Sequence, residues 1–496
     1  MAGSLWEAFC GGFYEALAPV LAADQAVNLY TETRQIAGSP KQIFMFGTPG
    51  RKFLTSVATL GNRGWFSQDG RTFTVVGDTL YEVDVDAATT TSRGTITDDG
   101  LSVYFASNGA GGDQLGIVGA GELKVLNLLT NALSAAISLP FSNPVMITFL
   151  DGYGLINEED TPIVWFSALE DLATWDALDF FTRSNTSDYI VGIGVSKDRV
   201  ACLGSKTTTW FYDSGDADTP FVPYPGTTIQ TGLLHPSLLG VYNDELFFVA
   251  QSDRGQTRVA RLLDTAVQTI STPPIDAFLA SATRFTDGET LPYYQNGHAF
   301  IAFTLPSSSR DLQTACYDIT EGLWHFRADW DEDAGQYTRW GARGSAVEGT
   351  TVLVGDYANG NLYTLDLATY ANEIASDETA ILKAERTAPY ASSTPQWLFI
   401  NEIQLLAQAG VGLSGSAQGS DPMVQLEISR DGARTWVDCG LRALGKLGEY
   451  TARTIWRKLG RVRADLLVIR ISITDPVQRA FGPGLWLDVE SGSGQL

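Results

Sequence analysis

The side chains able to do chemistry are few and scattered. The three histidines, His235, His298 and His325, have no partner at the i, i+4 spacing that puts two imidazoles on one helical face for zinc. Each is expected to pack or to sit at the surface. Cys10, Cys202, Cys316 and Cys439 make no CxxC pair and are too sparse for a disulfide framework, which predicts inert thiols in a reducing compartment. The loop Asp213-Ser214-Gly215-Asp216-Ala217-Asp218 offers carboxylates to a hard cation but lacks EF-hand spacing and its terminal bidentate Glu. A turn held by Asx hydrogen bonds is expected instead. No GxxxxGK[ST], HExxH, GxSxG or dinucleotide-binding fingerprint occurs. No metal, no cofactor and no catalytic residue is therefore predicted.

Charge is more informative. The chain has 33 basic and 57 acidic residues among 496, a net charge of −24 that repels nucleic acid and anionic lipid on average. Between Arg434 and Arg470, however, nine basic residues face three acidic ones, so this segment stands at +6 and the remainder at −30. Such segregation is expected either of a solvated strand face or of an electrostatic docking surface, and on the second reading Arg453, Arg457, Lys458, Arg461 and Arg463 are the partner-contact candidates. Opposite patches on one chain favour head-to-tail self-association or stacking on a partner. No run reaches the roughly 18 apolar residues of a spanning helix, so no membrane insertion is expected. The N-terminus has Glu7 and Glu15 but no basic n-region, and so does not read as a secretory signal.

The elements that must carry these residues repeat. Leu80-Tyr81-Glu82-Val83-Asp84-Val85, Leu123-Lys124-Val125-Leu126-Asn127-Leu128 and Leu362-Tyr363-Thr364-Leu365-Asp366-Leu367 each follow a glycine-containing turn and alternate apolar with polar residues. Looser copies end at Asp213, Asp264 and Asp318, and Val164-Trp165-Phe166 fills the remaining gap. The steps are 43, 86 (twice 43), 51, 54 and 48 residues. Four-stranded propeller blades recur at about 40–50 residues, whereas solenoid repeats are mostly shorter. With 50 glycines and almost no amphipathic helix, an all-β chain is expected, with six or seven propeller-like blades. Beyond Arg386 six strand-like runs follow: Trp397–Leu406, Val424–Ser429, Arg434–Cys439, Tyr450–Trp456, Leu466–Ile473 and Gly484–Val489. They suit a small β-sandwich. The expected division is an N-terminal arm over 1–39, a β-propeller-like domain over 40–385 and a C-terminal β-sandwich over 386–496.

Ser429-Arg430-Asp431-Gly432-Ala433-Arg434-Thr435-Trp436, and the shorter Ser67-Gln68-Asp69-Gly70-Arg71-Thr72-Phe73, look like the Asp-box hairpin of sialidase-type propellers. In that box Asp and Gly fix a turn over an aromatic, a structural role. A sialidase-like glycoside hydrolase is the alternative reading, and it needs an arginine cluster and a Tyr–Glu nucleophile pair besides. A cellular propeller scaffold is a third.

Nearly the whole chain also resembles a known family. The opening Gly12-Phe13-Tyr14, Asp24-Gln25, Val27-Asn28-Leu29-Tyr30 and Glu32 is similar to the start of the tail-hub proteins of short-tailed phages, the packaged-DNA stabilisation or tail nozzle proteins. The likeness continues in order through Phe46-Gly47-Thr48-Pro49-Gly50, Gly77–Asp84, Ser214–Phe221, Gln251–Gln256, Gly355–Gly360, Glu385–Pro389 and Gly419–Pro422. It is densest over Leu444–Tyr450, Arg453 and Trp456–Arg461. Ala433 in the box and the alanine-rich Ala16–Ala26 stretch depart from the pattern. The resemblance implies a virion structural protein, not an enzyme. It implies a hexameric ring below the portal and its adaptor, continuing the DNA channel and retaining packaged double-stranded DNA without specific binding. Tail fibres or spikes, and a tail plug or needle, are its implied partners, with assembly in the host cytoplasm.

Overall fold

Alternating apolar residues behind a tight turn fold each repeat locally into antiparallel strands. A computed structural model describes residues 4–16, 22–35, 41–252, 255–390 and 396–492. Asp253 and Arg254 of the Gln251–Gln256 motif, and part of the Ala16–Ala26 stretch, lie outside these residues.

Among the described residues, seven antiparallel blades built on four strands follow one another between Gly50 and Asp366. Every repeat marker is the third strand of its blade: Thr79–Asp84, Glu122–Asn127, Ile163–Phe166, Thr208–Asp213, Thr257–Leu263, Thr314–Asp318 and Asn361–Asp366. The recurring Asp or Asn has a local job. Its side-chain oxygen accepts a backbone N–H from the next turn, Ala87 on Asp84 at 2.8 Å, Thr130 on Asn127 at 2.8 Å and Ala368 on Asp366 at 2.8 Å. The repeat seen in the sequence is thus the turn into each outermost strand.

The ring closes by a device the repeat does not display. Gly50–Ser56 pairs with Asn361–Asp366 as the outermost strand of blade seven, with Gly50 opposite Asp366 and Ser56 opposite Asn361. The innermost strand of that blade, Ala342–Glu348, lies against the innermost strand of blade one, Asn62–Gln68. Of the six or seven blades expected, the count is seven.

The remaining strands build a sandwich from both ends of the chain. One sheet has the order Leu29–Arg34, Gln42–Gly47, Ala480–Gly492, Trp397–Ala407, Thr454–Arg463, with Ser4–Trp6 added to Ala480–Gly492. The other runs Ala23–Val27, Ala384–Pro389, Val468–Ile473, Met423–Ser429, Val437–Ala443. Leu398, Ile400, Ile403 and Leu405 meet Val424, Leu426, Ile428, Ile469 and Ile471 between the sheets, around the fully buried Trp456. Strand pairing therefore divides the chain differently from the expected 1–39, 40–385 and 386–496. Residues before Gly50 complete the sandwich because Leu29 and Met45 find their apolar partners in its core. Strand starts differ as well. The expected Arg434–Cys439 strand begins at Val437, because Asp431 holds the N–H groups of Arg434 and Thr435 in the box turn. The expected Tyr450–Trp456 strand begins at Thr454 and runs on to Arg463, after a turn with Gly445 and Gly448 at positive φ.

The two parts share hydrogen-bonded structure. Val27 pairs in parallel with Phe326 of blade six (Glu289–Gln295, His298–Thr304, Thr314–Asp318, Leu323–Asp331), joining one sandwich sheet to that blade. Asn28 extends the joint, its amide donating to the carbonyls of Ala328 and Lys383 at 2.8 Å each.

Candidate functional site

The cationic segment lands on the edge of the sandwich. Thr454–Arg463 is the last strand of its sheet, paired on one side only with Trp397–Ala407. Period-two alternation turns Thr454, Trp456 and Val462 into the core and Arg457, Arg461 and Arg463 towards solvent. Lys458, at a φ of 61°, and Gly460, at 85°, sit at a register shift in the pairing. This bulge and its surrounding charges blunt an otherwise exposed edge.

The five predicted residues are brought onto this one edge, but they are not equivalent. Arg453 donates to Gln404 Oε1 at 2.6 Å, Arg457 to Glu402 Oε2 at 2.8 Å and Arg463 to Asp465 Oδ2 at 2.6 Å. Arg461 has its guanidinium 3.9 Å from the ring centroid of Trp397 and 5.9 Å from that of Phe399. Lys458 is exposed in the bulge. Among the described residues, Arg453, Lys458 and Arg461 have no carboxylate within ion-pair distance. The rest of the run disperses. Arg442 donates to the Ile455 carbonyl at 2.9 Å, stitching the sheets together, and Arg470 lies over Trp436 between Glu385 and Glu427.

Sequence reasoning missed the aromatic half of this surface. Phe399 is 44 % and Trp486 38 % exposed, and Trp397 is half-buried beneath Arg461. Alternation along Trp397–Leu406 carries the signal: Leu398, Ile400, Ile403 and Leu405 face the core, so Trp397 and Phe399 face out. A face of arginine and aromatic side chains has the composition of a protein-contact patch.

The other candidates resolve as local structure. Asp431 accepts from the N–H groups of Arg434 and Thr435 and from the Thr435 hydroxyl, and these bonds hold its carboxyl far below the usual range. Asp69 and Gly70, both at positive φ, make the matching two-residue turn above the buried Phe73. In the acidic loop, Asp213 and Asp216 accept from the N–H groups of Gly215 and Asp218, as Asx turns do. His298 Nδ1 lies 2.8 Å from Asp318 Oδ2, a hydrogen bond that raises its pKa. Burial pushes His325 down to about 3, while His235 packs on Ser237. Burial likewise raises the thiols of Cys202 and Cys316 to about 12. Among the described residues no group of His, Cys, Asp or Glu is placed to hold a metal ion.

A cavity of about 560 Å³ opens among the blades, lined by Asp99, Tyr104, Asn143, Glu159, Asp160 and His235 among others. Its charged groups are carboxylates, and no arginine lines it. The deeply buried arginines among the described residues (Arg51, Arg63, Arg183, Arg327, Arg386 and Arg479) are held by carbonyls and carboxylates of the framework.

A family model described as bacteriophage P22 Gp10, beta-propeller, matches residues 12–370, and a second, bacteriophage P22 Gp10, beta-sandwich, matches residues 383–484. The chain belongs to the bacteriophage P22 Gp10 family. This is the tail hub or nozzle family of short-tailed phages that stabilises packaged DNA, and its members are structural tail proteins of the virion. The first matched segment spans the seven blades together with the N-terminal strands that enter the sandwich, and the second spans most of the sandwich's C-terminal strands. No curated protein matches the chain. Among solved structures, the chain is similar to the computationally designed Ika8 protein (13 % identity, 69 % of this chain and 99 % of that one, TM-score 0.36). It is also similar to the N-terminal domain of Nup159 (11 %, 68 % and 98 %, TM-score 0.39) and to a chain of the mitotic checkpoint complex (9 %, 67 % and 94 %, TM-score 0.42).

Proposed function

We propose that this Gp10-family protein forms a homo-hexameric ring below the portal–adaptor complex. The ring continues the DNA channel, helps to retain packaged DNA and presents surfaces for fibres or spikes and for a plug or needle. It is assembled in the host cytoplasm and performs no catalysis. The observation that carries this reading is the family match over both parts of the chain. The physics supports it. A wall with a net charge of −24 per copy repels phosphate, which lets DNA slide without adhering.

The cationic edge then belongs to protein contacts. Around a ring, arginines lining the lumen would release counterions from DNA and make it stick. Acidic blade loops are therefore assigned to the lumen, and Arg453, Arg457, Lys458, Arg461 and Arg463 to neighbouring protein. The double substitution Arg457→Glu/Arg461→Glu is expected to weaken tail assembly by about 2–5 kcal/mol per buried pair. DNA ejection through tails that do assemble should be little changed. Counting assembled tails and retained genomes tests this. Fully assembled particles that leak DNA would instead mean that these arginines grip the duplex.

A further inference from the structure

The aromatic–arginine face has a counterpart on the far side of the propeller. Blade three comprises Pro144–Leu150, Tyr153–Glu158, Ile163–Phe166 and Phe180–Thr182, and a long loop leads into its outermost strand. That loop raises Leu178 to 83 % exposure and Leu169 to 62 %, with Asp176 exposed beside Leu178. The neighbouring turns of blades three and four add Asp151, Asp198 and Asp213. The Glu170 N–H donates to the Gly152 carbonyl at 2.7 Å, which sets the loop against the Asp151 turn; burial, and then the nearby Asp213 and Asp198, push the Asp151 carboxyl up. From Asp151 to Asp218 there are thirteen acidic and four basic residues. Three of those four basic groups are occupied locally: Arg183 pairs with Asp188, Arg199 with Asp198 and Asp264, and Lys197 with Asp264.

The two surfaces match in chemistry. Each sets exposed apolar side chains among charges of unequal balance: on the sandwich edge Arg453, Lys458 and Arg461 lack a carboxylate partner among the described residues, although Glu402 and Glu490 share that face, whereas carboxylates outnumber cations around the blade-three loop. They cannot meet within one chain. The sandwich joins the propeller at blades six and seven, and blade three lies across a seven-membered ring from that joint. Two complementary surfaces on opposite sides of one molecule make a heterologous contact, which builds rings or filaments rather than two-fold dimers.

We propose that the Trp397–Phe399–Arg461 face of one copy docks on the Leu169–Leu178 loop of blade three of a second copy, head to tail. This rests on the ring assembly proposed above and supplies its contact. Loops of the other blades keep their acids free for the lumen.

Thiol crosslinking tests it in a full-length Cys439→Ser background, since the other three cysteines are buried. A short bis-maleimide is applied to concentrated purified chain and to tails assembled from it. The double variant Leu178→Cys/Phe399→Cys is expected to give a ladder of covalent multimers. Each single variant should stay monomeric alone, and the two mixed should stop at a dimer. Adding Arg453→Glu/Arg461→Glu should cut the yield at least about tenfold, and Asp176→Arg/Asp179→Arg on the partner copy should restore it. Crosslinking of Phe399→Cys chains with one another, or no ladder in either preparation, overturns the contact. A ladder in the purified chain, with virions that lack the protein, keeps the contact and rejects the tail role.

Discussion

Replacing Arg51 by leucine is expected to cost about 3–5 kcal/mol of stability, the penalty for leaving buried charges without their partner. Arg51 stands on the strand that closes the ring and is 4 % exposed. Its guanidinium reaches Asp329 of blade six and Asp356 of blade seven, the latter at 3.4 Å, and lies 5.1 Å from the ring centroid of Tyr363. Gly341 makes room for it, since a Cβ there would fall 1.9 Å from Arg51 Nη1. Leucine fills much of the volume but strands two carboxylates. Protonation of Asp329 gives the effect a pH signature. Burial already raises Asp329 above its ordinary 3.8, against the pull of Arg51 and with help from Asp356. Removing Arg51 raises it further. A carboxyl with a raised folded pKa contributes stability below its unfolded pKa and loses it as pH rises through the folded one. The deficit of the variant should therefore shrink when pH is lowered from about 7 towards about 5. Denaturant unfolding at both pH values measures this. A deficit under about 1 kcal/mol, or one that grows on acidification, would contradict the latch role.

The substitution Arg386→Met should be as damaging, about 3–5 kcal/mol, and should act on the N-terminal segment first. Arg386 is buried and donates to the carbonyls of Phe9 at 2.6 Å, Gly12 at 3.1 Å and Gln25 at 3.2 Å, and to Asp24 Oδ1 at 2.7 Å. One planar fork thus holds three stretches of the N-terminal chain against the strand Ala384–Pro389. Methionine keeps the packing and orphans all four acceptors, each costly to leave unmade in the interior. Lysine should rescue little, because a single ammonium cannot span the fork. Limited proteolysis should cut the variant near residues 4–16 before the propeller opens. A variant with unchanged unfolding midpoint and unchanged protection there would refute the assignment.

What was legible in the sequence was local. The Asp or Asn at 84, 127, 213, 318 and 366 does its work within a few residues of itself, so turn chemistry and spacing exposed the blades. The alternation of Trp397–Leu406 and Val424–Ser429 likewise showed the sandwich strands. Closure was not legible. Gly50–Ser56 finds its partner some three hundred residues later, and no local pattern separates a strand that completes blade seven from one that opens blade one. The same holds for Leu29–Arg34 and Gln42–Gly47, whose apolar residues announce strands but not the C-terminal sheet they join. For the candidate site, the charge run marked one sheet edge but not all of its residues lie there. Arg442 and Arg470 are framework residues, and Trp397 and Phe399, which give the edge its apolar contact area, carry no charge to count.

The central claim is that copies of this chain together enclose the DNA channel of the tail. An electron-microscopy reconstruction of the native tail tests it most directly. The expected map has six copies in one ring below the portal and adaptor, with duplex density through the centre. Acidic blade loops should face that density, with the Thr454–Arg463 edge turned into protein. Three or twelve copies at the nozzle, or Arg457 and Arg461 lining the lumen, would contradict it.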